Sequence, residues 1–450
     1  MPTTVKILFL TISLLTAAPV NAGSTAVEPG NDGFVSVEGL QFMLLDQPYR
    51  FVGTNMWYAA YIGRDERSGG DRERVARELD FLKANGITNL RLLGASERSP
   101  LKDSMSPAIS YKGRVENEDI LIGLDYFLSE MAKRDMKAVI FLNNFWEWSG
   151  GMGTYLSWVN DGKFIDLNDP ETPWPAFALY GATFYSNDEA KALFNTYLTT
   201  VVQRRNSVTG QLYRDDPTIM SWQLANEPRP GNGEVSRPNL PDYYAWITET
   251  ASLIKSLAPK QLVSVGSEGT MGCLELEECF IGAHSDNDID YATFHMWIKN
   301  WSWFDVKRPA ETYESAVERS DQYIRKHIEM AKRLNMPLVL EEFGIERDQG
   351  AVSPDSTVEY RDRFFQFVFG RINDSALKGG PLVGSNFWAW GGFGKAQHSD
   401  AVWREGDRTF VGDPPQEPQG LNSVFAADDS TLEVLSRHAK TLGVIGFPIK

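Results

Sequence analysis

Short runs rich in β-branched and aromatic residues alternate with amphipathic helical patterns along almost the whole chain of 450 residues. In the first such pattern, Val75, Leu79 and Leu82 share one helical face, and Gly86 stops the helix before the next run. This alternation predicts βα units and a parallel sheet. The eight candidate strands are 49–53, 87–93, 137–142, 218–224, 261–265, 291–294, 337–340 and 384–388. Helices are predicted at 71–85, 314–334, 356–372 and 430–442, among others.

The number of strands decides between an open and a closed sheet. Eight strands alternating with helices, without a glycine-rich dinucleotide motif after the first, favour a (β/α)8 TIM barrel over an open, doubly wound sheet. We expect a single domain over residues 23–450, with the functional site on the loops that follow the strands. Four of those loops exceed the roughly 2 to 6 residues usual for such connections, which predicts a shaped cleft. They are 96–119, 145–187, 229–240 and 391–422.

Composition limits the kind of ligand. The formal net charge of -16, with no run of Lys or Arg to offset it, argues against nucleic acid and anionic membranes as partners. The 5 His and 2 Cys show no spacing typical of a metal site, so we expect neither a metal nor another cofactor. The 13 Trp provide rings for a binding cleft as well as for the core. A neutral or cationic ligand is therefore expected.

The N-terminus has the pattern of a secretory signal peptide. Lys6 precedes the apolar run 7–18, and the small residues around Ala22 match a signal-peptidase site. We therefore expect residues 1–22 to be removed and the mature protein to be secreted or periplasmic, without a membrane span. Export would allow a disulfide between Cys273 and Cys279, the alternative being two free thiols.

Carboxylates, amides and indoles follow the predicted strands. Glu227 ends strand four and Glu342 ends strand seven, and cleavage of a glycosidic bond requires two carboxyls, one protonated and one ionised. Amides and an Arg can bind sugar hydroxyls, and indoles can pack on the apolar faces of pyranose rings. The residues at the strand ends are Asn55, Trp57, Arg91, Asn143, Asn144, Trp146, Asn226, Glu227, Ser267, Glu268, His295, Trp297, Glu342, Trp388 and Trp390.

Most of these residues also have a structural interpretation. Arg91 could belong to a structural ion pair, His295 could be a core histidine, and Glu268 fits a surface or supporting acid. The indoles that could equally be packing rings are those of Trp57, Trp146, Trp297 and Trp390. Glu341 competes with Glu342 for the catalytic position, but neighbouring strand residues face opposite sides, so only one of them can face the cleft.

Two short motifs link the chain to a known family. They are Asn-Glu-Pro at 226–228 and Glu-Phe-Gly at 342–344, accompanied by Arg91 after strand two, His295 after strand six and Trp388 after strand eight. With these motifs the chain resembles glycoside hydrolase family 5, a member of the clan of retaining (β/α)8 glycosidases. The resemblance covers essentially the whole of residues 23–450.

The resemblance implies a role for each matching residue. Glu227 would be the acid/base and Glu342 the nucleophile. Asn226 would hydrogen-bond the sugar 2-hydroxyl, Arg91 would keep Glu342 ionised, and Trp388 would form the floor of the −1 subsite. A cation beside one carboxyl and desolvation of the other would separate their pKa values as the two steps require.

Two residues bear on the substrate. Arg229, directly after Asn-Glu-Pro, and the segment 413–420 are similar to the mannan-active subfamily, so mannan or manno-oligosaccharide is the expected substrate and partner. Trp297 stands where the family usually has a tyrosine, so the phenol hydroxyl that would contact the nucleophile is absent. The long loops resemble those of exo-acting β-mannosidases, which favours release of terminal mannose. We expect the protein to be a monomer. The alternatives are an endo-β-1,4-mannanase, a cellulase and an inactive secreted mannan-binding protein.

Overall fold

The computed structural model describes residues 1–2, 32–101, 103–172 and 174–445. The predicted signal peptide, from residue 3 onward, lies outside these described residues. Within the described part of the chain, none of the helices combines the length and apolar character needed to cross a bilayer.

Eight parallel strands form the central sheet, as the sequence predicts. They are β1 (Phe51–Asn55), β2 (Ile87–Leu93), β3 (Lys137–Phe141), β4 (Ile219–Gln223), β5 (Leu262–Ser264), β6 (Ala292–Met296), β7 (Leu338–Phe343) and β8 (Leu382–Phe387). Consecutive strands are neighbours from β1 to β5 and from β6 to β8, and β8 pairs with β1. The remaining gap between β5 and β6 is bridged by Asp290 N donating to Val263 O over 2.9 Å and His295 N to Glu268 O over 3.3 Å. The (β/α)8 TIM barrel is therefore confirmed.

Helices surround the sheet and occupy its longer connections. They are α1 (Ala59–Ile62), α2 (Arg72–Ala84), α3 (Glu118–Ala132), α4 (Gly151–Ser157), α5 (Trp174–Ala182), α6 (Asp188–Val202), α7 (Leu240–Leu257), α8 (Glu277–Ala283), α9 (Pro309–Leu334), α10 (Glu359–Leu377) and α11 (Asp429–Val444). The predicted helix at 71–85 corresponds to α2, where the Asp71 side chain accepts a hydrogen bond from Arg74 N and caps the first turn.

Strand β7 extends further than its apolar run predicts. The prediction ended at 340 because two glutamates follow, yet the strand continues to Phe343 with both carboxyls buried. Gln223 Nε2 donates to Glu341 Oε2 over 2.6 Å, and Arg91 donates to Glu342, so each carboxyl has a partner inside the barrel. The strand thereby delivers Glu342 to the barrel mouth.

A small antiparallel sheet covers the N-terminal end of the barrel. Its strands are Ser36–Glu38, Gln41–Leu44 and Gln47–Pro48. Phe42 packs edge-on against Tyr291 with ring centroids 5.2 Å apart, and both belong to a cluster of side chains from the lower ends of the strands. Because this end is filled with apolar side chains, the opposite end, where the strands terminate, is the one available for a ligand.

The long loops predicted after the strands carry their own structure. The loop after β2 contains a hairpin of Ser110–Tyr111 and Arg114–Val115, and the loop after β3 contains α4 and α5. After β8, Trp390–Gly392 pairs with Val424–Phe425, so the two ends of the long loop between them are held together. These elements form the walls of the cleft.

Candidate active site

A cleft of about 590 Å³ opens at the ends of the barrel strands. Its walls are mostly glutamates, amides and indoles from the loops after β3 to β8. The lining residues are Trp146, Glu147, Trp148, Leu167, Trp174, Asn226, Glu227, Arg229, Asn232, Glu268, Met271, Glu275, Trp297, Asn300, Trp301, Ser302, Glu342, Trp388, Gln416 and Glu417. Both carboxyls singled out in the sequence therefore lie in one cleft.

Glu227 follows β4 in a backbone conformation that non-glycine residues seldom adopt, with φ of 50°. Conformations of this kind cost on the order of 1 kcal/mol and persist where the surroundings fix them. Here Asn226 N donates to Asn143 O over 2.8 Å and Glu227 N donates to Gly266 O over 2.9 Å. The backbone is thus held from the neighbouring β3 and β5 loops, and the Glu227 side chain is directed into the cleft.

Two side chains contact the Glu227 carboxyl. Trp146 Nε1 donates to Oε2 over 2.5 Å, and His295 Nδ1 lies 2.6 Å from Oε1. Burial raises the pKa of Glu227, while the charge of Arg229 and the bond from Trp146 oppose that rise. Burial also lowers the pKa of His295 to about 3, so its ring is neutral at neutral pH. A neutral ring protonated on Nδ1 donates to Glu227.

The Glu342 carboxyl accepts a hydrogen bond on each oxygen. Arg91 NH1 donates to Oε1 over 2.5 Å, and Trp297 Nε1 donates to Oε2 over 3.1 Å. Burial raises the pKa of Glu342, as it does for Glu227, and the Arg91 cation in direct contact opposes the rise. Both carboxyls therefore start from raised pKa values, and only Glu342 has a cation bonded to it.

The two carboxyls face each other closely. One oxygen of Glu227, one oxygen of Glu342 and a ring nitrogen of His295 lie within 4.8 Å of one another. These three are the described residues with the spacing of metal ligands, but Arg91 already places a cation against Glu342. The donors that surround both carboxyls make the site suited to acid/base chemistry.

Arg91 organises the residues beneath the cleft. Besides Glu342, its guanidinium donates to Gln223, Asn55 and Asn226 over 2.8, 3.0 and 2.7 Å respectively. Asn226 in turn donates to Asn144 Oδ1 over 3.1 Å. Arg91, Asn143 and Asn144 are all buried and do not line the cleft, so their contacts position Asn226 and the two glutamates rather than reaching into the open space.

Arg229 and Glu268 form a buried ion pair on one wall. Arg229 NH2 donates to Glu268 Oε2, and Trp301 Nε1 donates to Glu268 Oε1 over 3.2 Å. The Arg229 guanidinium also lies over the rings of Trp146 and Trp174, 5.2 Å from each centroid. Glu268 is thus a buried cleft residue paired with Arg229, which excludes the surface alternative of its prediction and leaves that of a supporting acid.

The structure separates the predicted tryptophans into two groups. Trp146, Trp297 and Trp388 line the cleft. Trp57 and Trp390 do not, and this corrects their assignment to substrate binding. Both rings are fully buried: Trp57 Nε1 donates to Gly412 O over 2.8 Å, and Trp390 Nε1 donates to Glu78 Oε2 over 2.6 Å.

Several cleft residues lie outside the positions that directly follow a strand. They are Trp148, Trp174, Trp301, Gln416 and Glu417. Trp301 lies in the loop after β6 and the others lie in the long loops after β3 and β8, where the order of residues does not determine which side chains turn toward the barrel. The signal available in the sequence was the concentration of aromatic residues in those loops.

Cys273 and Cys279 are joined by a disulfide in the loop after β5. Cys279 lies in α8, and Cys273 follows the cleft residue Met271. The bond ties the segment that carries Met271 to a helix.

Comparison with known proteins agrees with this geometry. Residues 32–446 match the family model described as GH family 5 beta-mannosidase-like. A glycoside hydrolase family 5 mannosidase from Rhizomucor miehei superposes with a TM-score of 0.84 at 34% identity, covering 92% of this chain and 99% of that one. Among curated proteins, mannan endo-1,4-beta-mannosidase 1 of Arabidopsis thaliana is 32% identical, over 79% of this chain and 81% of its own length. The putative mannan endo-1,4-beta-mannosidase 4 of the same plant is 29% identical, over 92% and 93% respectively.

A barrel whose mouth holds two facing glutamates in a cleft of indoles and amides defines a (β/α)8 glycosidase. The chain belongs to glycoside hydrolase family 5, in its β-mannosidase-like group, and is a mannan-active glycosidase.

Proposed function

We propose that the protein hydrolyses β-1,4-mannosidic bonds with retention of configuration, and that Glu342 is the nucleophile and Glu227 the acid/base. The observation that carries this proposal is the approach of the two carboxyls to within 4.8 Å, together with the His295 nitrogen. Retaining glycosidases hold their carboxyls about 5 to 5.5 Å apart, whereas inverting ones leave room for a water molecule between carboxyl and sugar.

The contacts of each carboxyl fit a different step. Protonated Glu227 gives its proton to the glycosidic oxygen as Glu342 attacks the anomeric carbon, which breaks the bond to the leaving sugar and forms a mannosyl ester on Glu342. Glu227, now ionised, takes a proton from water, and the resulting hydroxyl group displaces Glu342 from the anomeric carbon. Arg91 and Trp297 stabilise the Glu342 carboxylate at the start and at the end of this cycle.

We further propose that the enzyme acts from the chain end and releases mannose. The loop after β8 brings Gln416 and Glu417 into the lining of the cleft, and on this proposal they close one end of it. A cleft with one closed end accepts a sugar terminus more readily than the interior of a polymer. The Rhizomucor miehei protein, which is alike over 92% of this chain, is named a mannosidase, and that name supports the proposal.

An endo-acting β-1,4-mannanase is the second candidate. It is favoured by the names of the curated Arabidopsis relatives, which are mannan endo-1,4-beta-mannosidases at 29% and 32% identity.

Reduced mannohexaose distinguishes the two modes. We expect mannose to be the main early product, released stepwise while the reduced end stays on the longer fragment, as resolved by anion-exchange chromatography. A mixture of di- and trisaccharides at early times would favour the endo candidate instead. No hydrolysis of any manno-oligosaccharide would contradict both.

We also propose that the protein is exported and that residues 1–22 are removed. The disulfide between Cys273 and Cys279 supports this proposal, because such bonds persist mainly in oxidising compartments. N-terminal sequencing of the protein from culture medium or periplasm should begin at Gly23. Recovery of a mature protein that keeps residues 1–22 would contradict it.

A further inference from the structure

Glu147 is one of the cleft carboxyls that have no role in the mechanism above. Glu147 lines the cleft between Trp146 and Trp148, yet it is only 3% exposed. Its Oε2 is buried and has no hydrogen-bond partner among the residues that the structure describes. Buried polar atoms nearly always have a partner, so an orphaned carboxylate oxygen at a ligand cleft requires an explanation.

The main chain around Glu147 is firmly held. The residue begins a 3-10 turn, Glu147–Ser149, in the loop after β3. Ser104 Oγ donates to Glu147 O over 2.5 Å, and Met105 N donates to Trp148 O over 2.8 Å. Since these bonds come from the loop after β2, two loops fix the turn, and the position of the Glu147 side chain in the cleft wall follows from that packing.

Among the described residues that line the cleft, no cation is bonded to this carboxyl. Arg229 is the one cation among the described cleft-lining residues, and it is bonded to Glu268. Burial, and then the nearby charges of Asp166 and Asp103, raise the pKa of Glu147 to about 7. An unpartnered buried polar group costs about 1 to 3 kcal/mol, a cost that is typical of sites where a ligand supplies the missing bond.

We propose that Glu147 binds a hydroxyl group of the mannosyl substrate and so contributes to substrate binding separately from the catalytic pair. A sugar O–H supplies the donor that Oε2 lacks. Trp148, the next residue, packs edge-on against Trp388 with ring centroids 6.5 Å apart, so Glu147 and the proposed floor of the −1 subsite belong to one wall. This inference rests on the proposed function, since the ligand is the same manno-oligosaccharide.

The test measures binding without turnover. The parent is the Glu342→Ala protein, and the variant carries Glu147→Leu in addition. Isothermal titration calorimetry measures the binding of mannotriose to each, and the melting temperature of each is recorded. We expect Glu147→Leu to weaken binding on the order of tenfold, as for loss of a hydrogen bond to a charged group, while the melting temperature stays equal or rises because an unpartnered carboxyl has been removed. The matched control is Glu318→Leu, which removes an exposed glutamate of α9 and should leave both quantities unchanged.

The outcomes separate the two proposals. If the parent binds mannotriose and Glu147→Leu binds it equally well, the role of Glu147 is contradicted and the proposed function stands. If the parent binds no manno-oligosaccharide, the proposed function fails and this inference fails with it. If Glu147→Leu lowers the melting temperature, Glu147→Met replaces it, because the unbranched Met side chain is closer in shape to Glu. Its binding of mannotriose, compared with that of the parent, then tests the role of Glu147.

Discussion

Trp297 donates its indole N–H to Oε2 of Glu342, the carboxylate oxygen that Arg91 does not bind. The sequence suggested that a donor to the nucleophile is missing here, because Trp297 replaces the usual tyrosine. The indole supplies a donor at 3.1 Å instead of a hydroxyl. The substitution therefore preserves the hydrogen bond and changes the shape of the cleft around it.

Replacing Trp297 by Phe should lower kcat while leaving the fold intact. The ring remains, but Glu342 loses one of its two donors, and removal of a donor from a reacting carboxylate costs roughly 1.5 to 3 kcal/mol, or about ten- to a hundredfold in rate. Steady-state kinetics on mannobiose measure this. Trp390→Phe is the control: its indole bonds Glu78 away from the cleft, so it should lower the melting temperature with little change in kcat. An unchanged kcat in Trp297→Phe would contradict a role of the Trp297 indole in stabilising the Glu342 carboxylate.

Azide should distinguish the nucleophile from the acid/base. With Glu227→Ala and an activated aryl β-mannoside, the ester on Glu342 still forms, and azide displaces it to give a β-mannosyl azide. With Glu342→Ala, azide takes the place of the nucleophile and gives an α-mannosyl azide. Mass spectrometry and NMR of the products identify each anomer. The reverse pattern would exchange the two roles.

The conformation of the loop after β8 should depend on Asp413. This buried carboxylate accepts hydrogen bonds from Gly420 N over 2.9 Å, Asn422 N over 2.8 Å and Ser423 Oγ over 2.5 Å, and the segment that carries Glu417 is folded around it. We expect Asp413→Ala to loosen the closed end of the cleft and to raise the share of di- and trisaccharides formed from mannohexaose.

Asp400→Ala provides the control for that experiment. Asp400 lies in the same long loop but is exposed, and its main side-chain partner is Arg404. Its removal should leave the product pattern as it is. If Asp413→Ala also left the pattern unchanged, the β8 loop would not be the barrier that makes the enzyme exo-acting.

His438 should make the fold sensitive to acid. Its ring stacks on Phe369 with centroids 4.1 Å apart, neither ring nitrogen has a partner among the described residues, and burial lowers its pKa to about 3. The unfolded chain takes up a proton near pH 6.5 and the folded one near 3, so stability falls as pH drops through this window. Replacement by Phe should therefore stabilise the protein by about 2 kcal/mol more at pH 4.5 than at pH 7, as measured by urea unfolding. An equal effect at both pH values would show that His438 is not titrated on unfolding.

Local sequence patterns were sufficient for the frame and for the catalytic pair. Strand β2 spans Ile87–Leu93, as predicted. Its short run of mainly apolar residues begins directly after Gly86, a pattern typical of a buried strand. Glu227 and Glu342 could be placed at the mouth because parallel strands of a barrel all end there.

The side chains around the pair depend on contacts between distant segments. Trp57 and Trp146 each follow a strand closely, yet only Trp146 lines the cleft, since Gly412 of the β8 loop covers Trp57. Glu268 was predicted to be a surface or a supporting acid, and its contact with Arg229 decides for the second. No rule on local spacing could identify either pairing, because the partners come from loops whose course is set by tertiary packing.

The stereochemistry of the first product tests the central claim most directly. Proton NMR of mannotriose hydrolysis, recorded before mutarotation proceeds, distinguishes the two anomers of newly released mannose. The close approach of Glu227 and Glu342 predicts β-mannose first, followed by slow appearance of the α anomer. Initial formation of α-mannose would mean that water attacks directly, and it would contradict a covalent intermediate on Glu342.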